Sequence, residues 1–230
     1  MHEPLLLLIL VTGLSFRSAA QLSVRPFVRA MGQASVFAPP DQVKVDASVV
    51  TQGSTAQEAA GRNADQVDVV LAALQKLLGS GADIKTINYA VVPNYKYPQG
   101  GGTPTLTGYT ASVTVEVTLG AVSMTGPVID TATEAGATSI GGLRFSLKDP
   151  EPQRLQALRL ATLQAKSHAD AMASGLGGKV GAVISLEEAA AAFRVQPVVV
   201  STSAAAGTPT PVEPGLIEVQ ASVVLQAELN

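Results

Sequence analysis

Between residues 108 and 119 the chain alternates strictly. Ala111, Val113, Val115 and Val117 fall on one side of an extended backbone, and Ser112, Thr114, Glu116 and Thr118 on the other. A period of two fits a half-buried strand of an antiparallel sheet and does not fit a helix. Residues 84–97 read as its partner strand, joined to it through a loop rich in Gly, Pro and Thr. All four tyrosines, Tyr89, Tyr95, Tyr97 and Tyr109, lie in this stretch. The same alternation runs through residues 43–51, with Val43, Val45, Ala47 and Val49 opposed to Lys44, Asp46 and Ser48. Pro39-Pro40 before it predicts a turn, and so a hairpin with a strand over 27–37. Gly32, inside that first strand, predicts a bulge or a close approach of another backbone.

A helix is expected over 55–78. Thr55 and Glu58, or Ser54 and Gln57, have capping-box spacing. Apolar residues at 56, 60, 64, 67, 71, 74 and 78 form one stripe, and Gly79 and Gly81 stop it. A shorter helix follows over 123–135, then a strand over 140–147. A second long helix runs from the Asp149-Pro150-Glu151-Pro152 start to Ser174 and stops at Gly175-Leu176-Gly177. A strand over 180–186, a Pro/Thr/Ala-rich excursion over 194–215 and an alternating strand over 218–228 complete the chain. Two halves, about 27–119 and 123–230, thus repeat strand, long helix, glycine stop, strand, irregular insertion, strand. The expected fold class is α+β: duplicated βαββ units, an antiparallel sheet packed by two long helices, and an additional N-terminal strand. Alanines at 157, 161, 165, 169 and 173 make a row of small side chains on the second long helix. Such a row admits a closely packed sheet within the chain or a second helix from another subunit.

Composition narrows the function. Aromatic residues are 4% of the chain, so the core is aliphatic. Charged residues are 14%, against roughly 25% in ordinary soluble proteins. So uncharged a surface suits a homo-oligomer, although a bias towards Ala, Val and Gly accounts for the composition equally well. A net charge of −3 gives no electrostatic footprint for nucleic acid. There is no cysteine, which removes disulfides and a lipoprotein anchor. Residues 1–20 read as a secretory signal, with an apolar run over 5–14 and Ser18-Ala19-Ala20 before the cut. The run is too short to span a bilayer. Its n-region has no Lys or Arg, which leaves a retained anchor or a displaced start codon open.

Catalytic material is sparse. Once a signal has taken His2, His168 is the one histidine, mid-helix between Lys166 and Asp170, with no partners at zinc-ligand spacing. No nucleophile-elbow pattern accompanies it. Residues 174–179, Ser-Gly-Leu-Gly-Gly-Lys, resemble a phosphate loop but come after a helix and before a strand, the reverse of the required order. They read as a helix stop. Glu187 and Glu188 are adjacent, so in a strand they point to opposite faces and cannot serve one substrate together. The expectation is therefore no enzyme, no cofactor, no metal and no catalytic residue. The tyrosine stretch is the one concentration with a use: Tyr89, Tyr95, Tyr97, Gly108 and Tyr109 form a candidate interaction surface. Tyr89, Tyr95 and Tyr97, all at odd-numbered positions and so an even number of residues apart, share a face if the strand is unbroken, while Pro93 bends it or makes it an edge.

Several short motifs follow one another in a fixed order and spacing. They are Gly32-Gln33-Ala34 before Pro40-Asp41; Thr86, Tyr89 and Val92-Pro93 leading to Tyr95; and Gly108-Tyr109 followed by Ala111. The later ones are Leu143, Phe145, Leu147 and Asp149, the alanine row, Leu176-Gly177, and Ile184 with Glu187. In that order they resemble the SIMPL-domain family of bacterial envelope proteins, from about Val28 to the C-terminus. The resemblance implies a secreted α+β protein of the periplasm or outer cell envelope that assembles into ring- or channel-like homo-oligomers. It also implies a loose link to oxidative-stress defence, without an established reaction and with no catalytic residues to transfer. The reading is a non-enzymatic, self-assembling envelope scaffold; the alternative is a periplasmic module that binds a ligand or peptide.

Overall fold

The first two strands, Phe27–Ala38 (β1) and Gln42–Gly53 (β2), follow one another in the chain but do not pair. The computed structural model describes residues 25–189, 194–197 and 212–230, and places the two in different sheets. This overturns the expected hairpin. Pro39 and Pro40 have no N–H to give to a ladder, so pairing ends there, and the chain crosses from one sheet to the other. β1 instead pairs antiparallel with the last strand, Ile217–Leu229 (β8), from Phe27↔Glu228 to Ala38↔Ile217.

The helix expected after β2 spans Ala56–Leu78 (α1). Thr55 Oγ1 accepts the N–H of Glu58 at 3.1 Å, and the Glu58 carboxylate reaches back to the N–H of Ser54 at 2.8 Å and its hydroxyl at 2.6 Å. Those Ser54 bonds, with Arg62 nearby, hold the Glu58 carboxyl below its usual range. The stripe that meets the sheet is centred on Ala59, Asn63, Val70 and Leu74, not on 56, 60 and 64. The end of β2 sets this rotation. A β-carbon on Gly53 would lie 3.0 Å from the Ala59 Cα, so only a small face of the first turns fits there. Truncating the fully buried Leu74 to alanine costs about 2–5 kcal/mol in a core of this kind.

Asp83–Lys96 (β3) and Thr105–Leu119 (β4) form the predicted antiparallel pair. A 3-10 turn, Val122–Met124, leads into the short helix Thr125–Glu134 (α2), which lies against α1 and β2. Ser139–Ser146 (β5) follows and joins β2, completing a sheet ordered β3-β4-β2-β5. The second long helix, Glu151–Gly175 (α3), precedes Val180–Glu188 (β6). β6 and β1 flank β8 in the second sheet. The expected excursion begins with a strand that the sequence did not suggest, Arg194–Pro197 (β7), which also pairs with β8. Residues 198–211 of that excursion, and the expected signal at 1–20, lie outside the described residues. No helix among the described residues is long and apolar enough to cross a membrane.

The fold is the α+β class expected, with a long helix on each antiparallel sheet. α1 packs on β2 and β4 and barely reaches β3; α3 packs on β1 and β8 and barely reaches β6. The two long helices therefore hold equivalent places, although β1 and β5 have exchanged sheets relative to chain order. Val43, Val45, Ala47, Val49, Val113, Val115 and Val117 all face inward beneath α1. The alanine row is resolved in favour of packing within the chain: Ala161, Ala165 and Ala169 lie against Val28, Ala30, Val223 and Leu225. Phe145 bridges the first core to a junction cluster of Ala38, Leu147, Ile217 and Val219.

Candidate functional site

β3 is the outermost strand of its sheet, as Pro93 foreshadowed. β2 accompanies β4 only from Tyr109 to Leu119, whereas the β3–β4 pairing continues to Lys96↔Thr105. The hairpin therefore projects past the rest of the sheet. Two irregularities twist it: Ile87 is an additional residue on β3, and Thr107 on β4. Its base is pinned by Asn94, whose Nδ2 donates to Thr110 Oγ1 at 2.8 Å and whose backbone oxygen accepts from Thr107 Oγ1 at 3.0 Å.

The tyrosines divide. Tyr89, Tyr95 and Tyr97 are 62%, 50% and 72% exposed, and Ile87, Val92 and Leu106 are exposed beside them. Tyr89 sits opposite Val113 and so points to the α1 side of the sheet, while Tyr95 stands opposite Leu106 on the projecting part. Tyr97 lies beyond the end of β3. Tyr109 is half-buried opposite Gly53 and Pro93. Gly108 is buried, not displayed. Its φ of 147° lies where a side chain is strained, and a β-carbon would come 2.8 Å from the Gly53 carbonyl oxygen.

The edges of the two sheets are finished differently. On β1, Gln164 Oε1 accepts the N–H of Gln33 at 2.6 Å, and His168 Nδ1, 2.8 Å from the Met31 oxygen, donates to that carbonyl. Gln164 and His168 are one turn apart on α3, so the helix caps the edge of its own sheet. His168 thus has the satisfied structural place expected of a lone helical histidine. α1 barely reaches β3 and leaves a groove of about 600 Å³ between them. Asn63, Ala64, Val67, Asp68, Thr86 and Tyr89 are among its walls. Asn63 is fully buried; its Nδ2 donates to the carbonyls of Val49 (2.9 Å) and Ala111 (3.2 Å), while its Oδ1 has no donor. Sequence reading missed Asn63. The available signal was a polar residue at a position four from Ala59 and seven from Val70 in an otherwise apolar row.

The opposite face of this sheet carries charge. Arg144 grips Asp46 with both terminal nitrogens (2.8 and 2.7 Å) and also reaches Glu116 at 2.8 Å. Lys44 takes the other Glu116 oxygen at 2.8 Å. The Lys44 hydrogen bond, and then Arg144, hold the Glu116 carboxyl below its usual range, and the two carboxylates push the Arg144 guanidinium up. Each charge has an opposite partner, so the ladder reads as structural. Glu188 pairs with Arg154 of α3 at 2.5 Å instead of acting with Glu187. The Gly-rich run after α3 closes the helix, with the Gly178 N–H on the Ala173 carbonyl at 2.9 Å. Among the described residues no group of three His, Cys, Asp or Glu side chains is placed to hold a metal ion.

Against known proteins, residues 28–227 match the family described as SIMPL, protein of unknown function (DUF541). The 26 kDa periplasmic immunogenic protein of Brucella melitensis is 26% identical over 178 residues, covering 76% of this chain and 71% of that protein. The uncharacterized protein YggE of Edwardsiella ictaluri is 30% identical over 179 residues, covering 78% and 74%. YggE of Escherichia coli K12 is 28% identical over 181 residues, covering 79% and 73%.

Proposed function

This chain belongs to the SIMPL family, and we propose that it is a non-enzymatic protein of the periplasm or outer envelope that associates with copies of itself. The location follows the periplasmic name of the Brucella relatives. The observation that carries self-association is the edge of β3: a strand of 14 residues, outermost in its sheet, with exposed apolar side chains. An unpaired edge of that length offers a row of free backbone donors and acceptors. Where α3 lends Gln164 and His168 to cover β1, α1 barely reaches β3. A closed ring of copies removes such edges.

Native mass measurement on the mature chain tests this reading. A discrete oligomer at micromolar concentration is expected, and a strict monomer would sink it. The assembled scaffold is further proposed to protect the envelope under oxidative stress. A deletion strain should then be more sensitive to peroxide than its parent, and regain resistance with the wild-type chain.

A further inference from the structure

We propose that the tip of the β3–β4 hairpin docks on an anionic phospholipid surface, seating Tyr95, Tyr97 and Leu106 at headgroup depth. The tip has the shape of something that enters a surface. Past the end of β2 only two strands continue, paired as far as Lys96↔Thr105. Every residue from Tyr95 to Thr107 is exposed, so the projection has solvent on all sides. A standard protein interface engages about 20–30 residues a side, roughly twice what this tip holds. A lipid surface closes around a narrow tip without needing a matching hollow.

The chemistry of the tip selects lipid. Between Lys96 and Glu116 the chain has no charged residue, so no ionic group there has to be stripped of water. The one charge of the tip, Lys96, is positive, in a chain whose net charge is −3. Tyr95 and Leu106 face each other across the two strands, and Tyr97 follows just beyond β3. Tyrosine has an apolar ring and a polar end, and so settles at the boundary between headgroups and acyl chains. A lysine beside such rings reaches back towards the headgroups, where anionic lipid attracts it. Backbone groups of the loop over 98–104 need water or headgroups as partners, which limits the depth to that boundary. The bonds between Asn94 and Thr110 and from Thr107 to the Asn94 oxygen brace the base, so the tip meets the surface already shaped. Docking uses these side chains and not the backbone edge of β3, so it holds for a single copy.

The chain has no tryptophan, so Tyr97→Trp gives a single reporter at the tip and Tyr89→Trp one lower on the same hairpin. Each is read in the chain from Gln21, which keeps every described residue. Vesicles of phosphatidylcholine with phosphatidylglycerol should shift the Tyr97→Trp emission to the blue, saturably, and leave Tyr89→Trp unchanged. Bromine placed high on the acyl chains should quench the tip reporter more than bromine near the bilayer centre. Adding Lys96→Gln should weaken the partition roughly five-fold, the share of one basic residue at an anionic surface. Leu106→Ser should also weaken it, by removing apolar area. Circular dichroism checks that both variants keep the fold. No shift at millimolar lipid, equal shifts for the two reporters, equal partition into pure phosphatidylcholine, or a partition untouched by either folded variant would each overturn the proposal. So would an emission that moves with protein concentration and not with lipid, which would give the tip to a second copy.

Discussion

Gly32 on β1 lies directly beneath the Ala161 carbonyl of α3: a β-carbon built on Gly32 would overlap that oxygen and lie 3.0 Å from its carbon. Helix and strand backbones touch here without an intervening side chain. The alanine row from Ala157 to Ala173 makes this spacing possible along the whole helix, since all five alanines are buried. Gly32→Ala must push α3 from its sheet or bend β1. It should cost about 1–3 kcal/mol or more, because the obstacle is backbone and cannot rotate away. The control is Gly61→Ala on α1, which has open space around it and should gain about 0.5–1 kcal/mol from helix propensity. Urea unfolding of both variants checks the pair; a neutral Gly32→Ala would contradict the close packing.

Asn63 holds α1 to the strands beneath it through two backbone carbonyls. Asn63→Ala should cost about 1–3 kcal/mol, the range for losing buried hydrogen bonds. Asn63→Asp is nearly the same size but places a carboxylate against the Val49 and Ala111 oxygens in a fully buried position. It should be the more damaging change by about 3–5 kcal/mol at neutral pH, as for an unpaired buried charge. Thermal unfolding of both variants orders them. Equal losses would mean that the amide nitrogen is not what Asn63 contributes.

Much of this architecture was legible because it is local. The caps at Thr55 and Glu58, the β4 alternation and the Pro-Glu start of α3 depend on neighbours a few residues away, and all stand where the sequence put them. What failed was pairing at a distance. β1 and β2 look like a hairpin because a proline turn separates two alternating strands, but a turn shows where pairing stops, not which strand is the partner. The partner of β1 is β8, at the other end of the chain. The α1 stripe was misplaced for a related reason, since the tight fit of Ala59 over Gly53 is a tertiary contact. The tyrosine stretch was visible as composition. That Gly108 is buried while Tyr95 and Tyr97 are exposed follows from where β2 ends, and Tyr89 is exposed because α1 barely reaches β3; no count of residues reveals either.

The charge ladder gives the protein an acid-sensitive edge. The folded Glu116 carboxyl is depressed by Lys44 and then Arg144, while in the unfolded chain it has its ordinary value. A depressed acid stabilises the fold at pH above its unfolded value, and that contribution is lost as pH falls through the folded one. Stability should therefore decline as pH drops below the ordinary glutamate range, near pH 4.5. Lys44→Met raises the folded value towards the unfolded one and should flatten this decline, although Asp46 and Arg144 remain. Melting temperatures across the acid range for wild type, Lys44→Met and Glu116→Gln provide the test. Identical slopes for all three would remove Glu116 from the acid response.

The exposed hairpin separates assembly from folding. Tyr95 and Tyr97 stand on or beyond the projecting part of β3, with at least half their surface in solvent. The double variant Tyr95→Ala, Tyr97→Ala removes contact area without opening the core, so its unfolding free energy should stay within about 0.5 kcal/mol of wild type. If copies meet along this edge, its native mass should fall to smaller species. Val92→Lys does the same by another route, since an edge lysine must be desolvated whenever a second strand docks. Gly108→Asp is the wrong instrument: at φ 147° and against the Gly53 oxygen it strains the hairpin base, and a lost oligomer would then report damaged fold. An unchanged oligomer in both the tyrosine double variant and Val92→Lys would move the interface away from β3. The exposed Val183, Ile184 and Leu186 of β6, an edge of the second sheet that α3 also leaves largely uncovered, would then be the next place to mutate.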